Sequence, residues 1–208
     1  MIWIPILLII LFFSAIVHEC AHGLAAYKLG DPTAYYAGRI TLNPLVHIDP
    51  MMTLILPLVL FLTTGFVFGG AKPVPINPYN FRNPEKGMML SSLAGPVSNL
   101  ILALLGFALF FPLARISTGT FLQFNYYIFV WFIYINILLA LFNIIPIPPL
   151  DGSRILRYFL PWDMKESLDR IEPFGLIIIF ILFYMGGFRF LSMLMDYVEL
   201  ILSRMVGG

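Results

Sequence analysis

The stretch IWIPILLIILFFSAIVHECAH, residues 2–22, joins an uncharged apolar run to a cluster of polar side chains without a break. Its apolar part, Ile2–Val17, lacks the basic start and the cleavage site of a signal peptide, so we expect a retained helix from about Trp3 to Leu29. Ionisable groups at the end of an apolar helix are costly unless they are paired or face a cavity, and they therefore mark functional sites. The stretch predicts a membrane helix that carries chemistry.

The composition of the whole chain agrees with a membrane location. Of 208 residues, 60% are hydrophobic and 11% are charged, whereas a soluble domain has roughly 25% charged residues. The net charge of +1 gives no sign of a nucleic-acid partner, and the single cysteine, Cys20, excludes an internal disulfide. We expect a single transmembrane domain over residues 1–208, surrounded by a lipid bilayer.

Apolar segments that approach the roughly 20 residues of a membrane crossing recur along the chain. They are Ile2–Val17, Thr53–Gly69, Met88–Leu113, Tyr126–Ile145 and Phe174–Gly187. We therefore expect an all-α polytopic membrane protein with about four to six transmembrane helices. Residues 33–48 contain β-branched residues and turn signals, which predict a short β element at the membrane surface.

Basic residues near helix ends favour the cytoplasm, and here they concentrate in three connections. They are Lys28, Arg39, Lys72, Arg82, Lys86, Arg154 and Arg157. If all three connections are cytoplasmic, segment 53–70 must enter and leave on one side as a re-entrant segment. A soluble-facing helix or five straight spans are the alternatives, and straight spans would separate Asp151 from His22.

The sequence His18-Glu19-Cys20-Ala21-His22 places two histidines about 40° apart on one face of a helix. Both imidazoles can then reach one Zn²⁺, and Glu19 lies near enough to act on water as a general base. Cys20 points to the opposite face and is interpreted as a packing residue. The alternative for the whole cluster is an interfacial polar cap whose histidines are simply wet.

A catalytic zinc needs a third protein ligand and an open position. The candidates are His47, Asp49 and Asp151. Asp151 has the better case, because it follows a Pro-rich approach at the end of a membrane span and precedes Gly152, which lets the backbone come close. We expect Asp151 to cap a helix over Gly152–Leu160.

Two motifs together resemble those of the site-2 proteases, which are intramembrane zinc metalloproteases. The first is His18–His22, and the second is Asn143-Ile144-Ile145-Pro146-Ile147-Pro148-Pro149-Leu150-Asp151-Gly152, which is similar to the family's N-x-x-P-x-x-P-x-D-G. Ala94-Gly95-Pro96-Val97-Ser98-Asn99 resembles a further family segment, and Gly38–Pro50 resembles the minimal prokaryotic members. The matches run from residue 18 to about residue 157 in the family's order.

The resemblance implies a zinc-dependent endopeptidase that cuts transmembrane protein substrates within or at the edge of the bilayer. It implies a multi-pass protein of the cell membrane with its active site toward the cytoplasmic side. His18, His22 and Asp151 would bind one Zn²⁺, Glu19 would activate water, and Asn143 would help to hold the substrate carbonyl or its oxyanion. A helix-end cap is the alternative for Asn143, and for Asn99 we favour helix packing over direct chemistry.

An exposed strand edge would let an extended substrate pair with the protein. Segment 37–42 is the expected edge, and its expected substrate contacts are Gly38, Arg39, Ile40, Thr41 and Leu42. A catalytically silent zinc-binding membrane adaptor or chaperone is the main alternative function, and a metal transporter is another. Glu19 distinguishes them, because a purely structural zinc site does not need it. The sequence leaves a homo-oligomer open.

Overall fold

The structure, a computed structural model, describes residues 3–55, 59, 62, 69–116, 119–186 and 189–207. The regular elements of these residues are helical, and no strand is present among them. The α-helices are α1 (Trp3–Leu29), α2 (Thr33–Tyr36), α3 (Pro84–Ile116), α4 (Gly119–Asn143), α5 (Asp151–Phe159), α6 (Trp162–Ile171), α7 (Gly175–Tyr184) and α8 (Arg189–Gly207). Shorter turns are 3₁₀ at Pro44–His47, Pro78–Asn80 and Glu172–Phe174, and π at Pro50–Ile55. The prediction of an all-α chain is confirmed.

Three helices of the described residues are long and apolar enough to cross a membrane. They are Pro5–Leu29 within α1, Pro84–Leu113 within α3 and Phe124–Asn143 within α4. The last apolar segment forms α7, whose 10 residues extend only about 15 Å. The expected four to six spans are therefore not confirmed.

Helix α3 packs against both α1 and α4. His18 and His22 on α1 contact Asn99 and Ser91 on α3, so the two helices run antiparallel. Asn99 also contacts Asn136 near the end of α4. The end of α1, the start of α3 and the end of α4 therefore lie on one side of the bundle, which agrees with the arrangement inferred from the basic residues.

Local signals set the helix ends on that side. Helix α1 ends before Gly30, whose φ of +111° suits glycine and whose N–H donates to Tyr27 O at 3.2 Å. Helix α3 begins at Pro84, a residue that fits the first helical turn because it has no N–H to satisfy. Asn83 Oδ1 accepts from the backbone N–H of Lys86 at 3.0 Å and caps that turn.

The prediction of a β element over residues 33–48 is wrong. Thr33–Tyr36 forms a single helical turn, because Asp31 Oδ1 accepts from the Thr33 N–H that opens it. Asn43 Oδ1 likewise accepts from Leu45 N–H and opens the 3₁₀ turn Pro44–His47. Side-chain acceptors thus close local turns where β-branched residues alone would favour a strand.

The two ends of segment 53–70 meet each other. Thr53 Oγ1 donates to Gly70 O at 2.8 Å. Most of the residues between them lie outside the described residues. The re-entrant path of this segment therefore stays a prediction, although its two described ends lie together as that path requires.

The Pro-rich turn 144–150 is enclosed by two glycines. A Cβ on Gly152 would overlap Ile144 O, and a Cβ on Gly175 would overlap Pro148 O. The turn is therefore packed directly against the starts of α5 and α7. This packing fixes the backbone immediately before Asp151.

Asp151 occupies the first turn of α5 rather than its cap. Leu150 stands at the cap position, with φ −66° and ψ 154°, and the helix covers Asp151–Phe159 instead of Gly152–Leu160. The predicted capping role is therefore wrong by one residue. Because the Asp151 carboxylate is not used to cap the helix, it is available to face α1.

Asp31 connects the end of α1 to two later loops. Its carboxylate accepts from Thr33 N–H and Oγ1–H, from Asn77 N–H at 2.7 Å and from Asn80 Nδ2 at 2.7 Å, and the residue is buried. Burial would raise the pKa of the Asp31 carboxyl, but these hydrogen bonds outweigh it and hold that pKa below its usual value. The ionised carboxylate therefore stabilises this corner of the fold.

Replacing Asp31 by Asn should lower the free energy of unfolding by roughly 1.5–3 kcal/mol near neutral pH, because an amide N–H would then face the Asn77 N–H. The folded-state pKa lies below the unfolded value of about 3.9, so this stabilisation is present above about pH 4 and is lost as pH falls through the folded pKa. Thermal unfolding of wild type and Asp31→Asn in detergent measures the difference. A difference that stays constant down to about pH 3 would contradict the assignment.

Candidate metal centre

Three buried ligand atoms from two distant parts of the chain form a triangle. Asp151 Oδ2 lies 3.1 Å from His18 Nε2 and 3.2 Å from His22 Nε2, and the two nitrogens lie 3.0 Å apart. The exposed fractions of His18 and His22 are 7% and 6%, which excludes a wet polar cap. The structure thus brings together the three residues that the sequence singled out as ligands.

The other ring nitrogen of each histidine is already committed. His18 Nδ1 donates to Asn99 Oδ1 at 2.6 Å, and His22 Nδ1 donates to Ser91 O at 2.7 Å. Amide and peptide oxygens only accept hydrogen bonds, so each Nδ1 carries the proton. A neutral imidazole then has its lone pair on Nε2, which is the atom that points into the triangle.

The chemistry of this donor set fits a zinc ion. The Asp151 carboxylate adds a negatively charged oxygen, as an ordinary aspartate does near neutral pH. Two lone pairs and a negative oxygen about 3 Å apart repel one another unless a cation lies among them. Ligand atoms on a tetrahedral zinc, bound at about 2.0–2.1 Å, lie roughly 3.3 Å apart. The triangle has nearly that size and leaves a fourth position open.

Glu19 lies beside the triangle without belonging to it. Ligand atoms of His18, Glu19 and His22 all fall within 4.8 Å of one another. Glu19 Oε2 accepts from the backbone N–H of Val74 at 2.8 Å. Val74 belongs to the irregular segment 71–77, which is called the strap below. Arg39 Nη2 holds the strap by donating to Lys72 O at 2.7 Å. The strap therefore orients the carboxylate next to the two imidazoles.

Gly95 on α3 leaves the space that the imidazoles occupy. A Cβ at this position would overlap His22 Nε2 and Cε1 and would lie 2.6 Å from His18 Cε1. Asn99, one turn further along α3, accepts the hydrogen bond from His18. The interpretation of Asn99 as a helix-packing residue alone is therefore wrong, because its amide contacts a metal-ligand candidate directly.

The alternative third ligands lie elsewhere. His47 Nε2 donates to Thr41 O at 2.8 Å, and the Cys20 thiol donates to the same oxygen at 3.0 Å. Asp49 Oδ1 accepts from Met51 N–H at 2.9 Å and closes a local turn. Cys20 and His47 thus hold the loop before Pro44 against α1. Cys20 therefore forms a hydrogen bond in addition to the packing expected of it.

Asn143 and the predicted docking segment take different positions relative to the triangle. Asn143 Nδ2 donates to Leu139 O at 2.9 Å on its own helix, so this hydrogen bond does not bring the amide to the ligand atoms.

Segment 38–42 is not a strand, but it runs along α1: Ile40 Cγ1 would lie 3.2 Å from a Cβ on Gly23. The segment therefore contacts α1 at Gly23, the residue that follows His22.

Sequence reasoning missed three residues that support the histidines. Ser91 provides the carbonyl for His22, and Ser14 and Asn136 form hydrogen bonds with Asn99. For Ser14 and Asn136 a signal was present in the sequence, because polar side chains within apolar helices are costly and mark functional sites, whereas Ser91 acts through its backbone carbonyl. Their mutual contacts depend on how the helices pack.

Comparison with known proteins agrees with this geometry. The model of peptidase family M50 matches residues 114–186. A protein of Bacillus subtilis (strain 168), with the provisional name zinc metalloprotease YwhC, is 42% identical over 187 residues, covering 86% of this chain and 80% of the relative. The chain belongs to peptidase family M50. This is the site-2 protease family, so the resemblance seen in the two motifs is confirmed.

Two more distant relatives share the same provisional class name. Zinc metalloprotease Rip2 of Mycolicibacterium smegmatis is 30% identical over 81% of this chain, which spans 62% of that relative. Zinc metalloprotease MJ0611 of Methanocaldococcus jannaschii is 32% identical over 69% of this chain, which spans 64% of that relative. No solved structure matches the chain. Family membership and these names support a zinc metalloprotease, and the three apolar helices support a membrane protein.

Replacing Gly95 by Ala should lower the zinc affinity of the purified protein by about 10-fold or more, because the added methyl group displaces both imidazoles. Gly70→Ala is the matched control, since a Cβ there meets nothing within 4 Å. Competition with a chromophoric zinc chelator measures both affinities. Equal affinities of the two variants would show that the imidazoles at Gly95 do not bind the metal.

Proposed function

We propose that this M50 peptidase is a zinc-dependent endopeptidase that hydrolyses transmembrane protein substrates within or at the edge of the bilayer. The observation that carries the proposal is the triangle of His18 Nε2, His22 Nε2 and Asp151 Oδ2 with Glu19 beside it. The two histidines and Glu19 lie on a helix that is apolar enough to cross a membrane. A peptidase site on such a helix favours substrates that are themselves in the bilayer.

Each polar residue of the centre then has a defined task. His18, His22 and Asp151 would hold one zinc ion per chain. When bound, zinc polarises a carbonyl and lowers the pKa of water toward about 7. Glu19 takes a proton from water and delivers it to the leaving amine. Val74 N–H holds Oε2 of Glu19, which leaves Oε1 for the proton.

Asn143 is assigned to the substrate carbonyl or its oxyanion. Its Nδ2 must leave Leu139 O to do so. Asn143 is the last residue of α4, and the turn that leads to Asp151 follows it directly. The donor would then stabilise developing negative charge.

The docking proposal keeps Gly38, Arg39, Ile40, Thr41 and Leu42 as substrate contacts, with Arg39 taking part through its backbone because its side chain is buried and holds the strap. These residues follow α1 past the centre, and segment 42–45 beyond them is exposed. We propose that a stretched substrate hydrogen-bonds to the backbone of this irregular segment, in place of the strand edge expected from the sequence. Helical amides are shielded by their own hydrogen bonds, so substrate unwinding is part of the reaction.

The orientation follows from the helix ends. Lys28, Arg82 and Lys86 lie at the side where α1 ends and α3 begins, and they line one cavity there. The preference of basic residues for the cytoplasm supports a multi-pass protein of the cell membrane with its active site toward the cytoplasmic side. A single domain over residues 1–208 holds the site, and a homo-oligomer is compatible with it.

A silent zinc-binding adaptor or chaperone is the alternative function. A purely structural site needs no general base, yet Glu19 is held beside the triangle by the strap. Closed structural zinc sites also have four protein ligands, whereas the triangle found among the described residues supplies three. Both observations favour catalysis.

Replacing Glu19 by Gln should reduce cleavage of a membrane-embedded substrate by at least about 100-fold while zinc binding stays unchanged. The variant amide oxygen can still accept from Val74 N–H, so the strap is preserved. Cleavage is followed on a library of fluorescently tagged transmembrane segments in proteoliposomes, and zinc content is measured on the same preparations. Cleavage at the wild-type rate would exclude Glu19 as the base.

The same inactive protein tests substrate docking. A photocrosslinker placed at Leu42, which is exposed, should capture a bound transmembrane segment, whereas one at exposed Tyr184 should not. Equal capture at both positions would contradict docking along residues 38–42.

A further inference from the structure

A chain of hydrogen bonds continues from His18 into the interior of the helix bundle. Asn99 Nδ2 donates to Asn136 Oδ1 at 2.9 Å, and Asn136 Nδ2 donates to Ser14 Oγ at 3.0 Å. Ser14, Asn99 and Asn136 come from α1, α3 and α4, and all three have an exposed fraction of 0%. Three helices thus meet at one enclosed polar cluster.

The cluster has a direction, because an amide has one accepting end and one donating end. Asn136 is held by Nδ2, which donates to Phe132 O at 2.8 Å as well as to Ser14 Oγ. Its Oδ1 therefore faces Asn99 and accepts from Asn99 Nδ2. Ser14 O is a second acceptor for Asn99 Nδ2, at 3.4 Å. Asn99 Oδ1 is consequently turned toward His18.

This orientation matters for the ring of His18. With Oδ1 facing it, Nδ1 must carry the proton and Nε2 keeps the lone pair that points at Asp151. If the Asn99 amide were turned over, its Nδ2 would face Nδ1 and would favour the opposite tautomer. The proton would then lie on Nε2 and block the ligand position.

Burying this polar cluster in an apolar helix bundle costs free energy, which indicates that the cluster has a function. Polar side chains in an apolar bundle lose hydration, which is recovered only when every donor and acceptor is paired. Asn125, three turns earlier on α4, shows the contrast: its buried Nδ2 has no hydrogen-bond partner among the described residues. Among the described residues, the amide N–H groups at position 136 are thus paired and those at position 125 are not.

We propose that Asn136, together with Ser14, is a positioning residue of the zinc site: it orients the Asn99 amide, which fixes the tautomer of His18 and thereby sets the zinc affinity. Neither residue touches the ligand triangle. The inference rests on the proposed zinc site, but it does not depend on peptidase activity, because its readout is metal binding alone.

Replacing Asn136 by Leu should weaken zinc binding by about 10-fold, in the range found for residues that orient metal ligands. The matched control is Asn125→Leu, which removes from the same helix an amide whose Nδ2 donates to no described residue, and it should change the affinity less than about twofold. Zinc affinity is measured by chelator competition on detergent-solubilised full-length protein. Thermal unfolding identifies any variant that does not fold, and Ser14→Ala then replaces Asn136→Leu in the comparison.

A second substitution separates orientation from packing. In Asn99→Asp, either carboxylate oxygen can accept from His18, and the other oxygen then faces Asn136 Oδ1, to which it cannot donate. Removing the Asn136 amide therefore breaks no hydrogen bond to position 99 in this background. Asn136→Leu should then cost less than about twofold in zinc affinity in the Asn99→Asp background, although it costs about 10-fold in the wild type. A loss of equal size in both backgrounds would mean that Asn136 acts by packing and would overturn the inference.

The remaining outcomes are also decisive. An Asn136→Leu protein that binds zinc as tightly as Asn125→Leu would overturn the positioning role and leave the zinc site intact. Wild-type protein that binds no zinc would overturn the proposed metal site itself. The cobalt-substituted protein gives a spectroscopic check: its visible absorption should change in Asn136→Leu and stay unchanged in Asn125→Leu. An equal change on adding Asn136→Leu to the wild type and to Asn99→Asp would mean that packing alone is involved.

Discussion

The convergence of two imidazoles and one carboxylate inside an apolar bundle is the constraint on which the other features depend. His18 and Asp151 are 133 residues apart, yet their ligand atoms lie 3.1 Å from each other. Helical spacing aligns His18 with His22, and the turn packed against Gly152 delivers Asp151. Since three electron-rich atoms at this separation repel one another, the fold makes chemical sense with a cation among them.

The polar groups around this centre form a supporting layer of hydrogen bonds. Gly95 gives the imidazoles room, while Asn99 and Ser91 O hold their outer nitrogens. The strap orients Glu19 through Val74 N–H and is itself held by a buried arginine. Such support is typical of metal sites, where partners behind the ligands fix ring orientation and tautomer.

Features with local causes could be predicted from the sequence. The bounds Trp3–Leu29 are confirmed because an apolar run and Gly30 determine them within a few residues. The β element over residues 33–48 failed because Asp31 and Asn43 accept hydrogen bonds that close local turns. A strand also needs a partner strand, which composition does not reveal.

Features that depend on tertiary contacts could not be predicted in the same way. Helix α6 is an example, because its Lys165 is buried and pairs with Glu85 of α3, a contact that depends on how the two helices pack. The meeting of Asp151 with the histidines was predictable because two motifs and the distribution of basic residues pointed to one side. The link from Asn136 to Asn99 was not, because helix rotation decides which polar side chains meet.

X-ray absorption at the zinc edge tests the central claim most directly. The spectrum should show two imidazoles and oxygen ligands, should change in Asp151→Ala and should stay the same in Asp49→Ala. A sulfur ligand from Cys20, or a changed spectrum in Asp49→Ala, would contradict the claim.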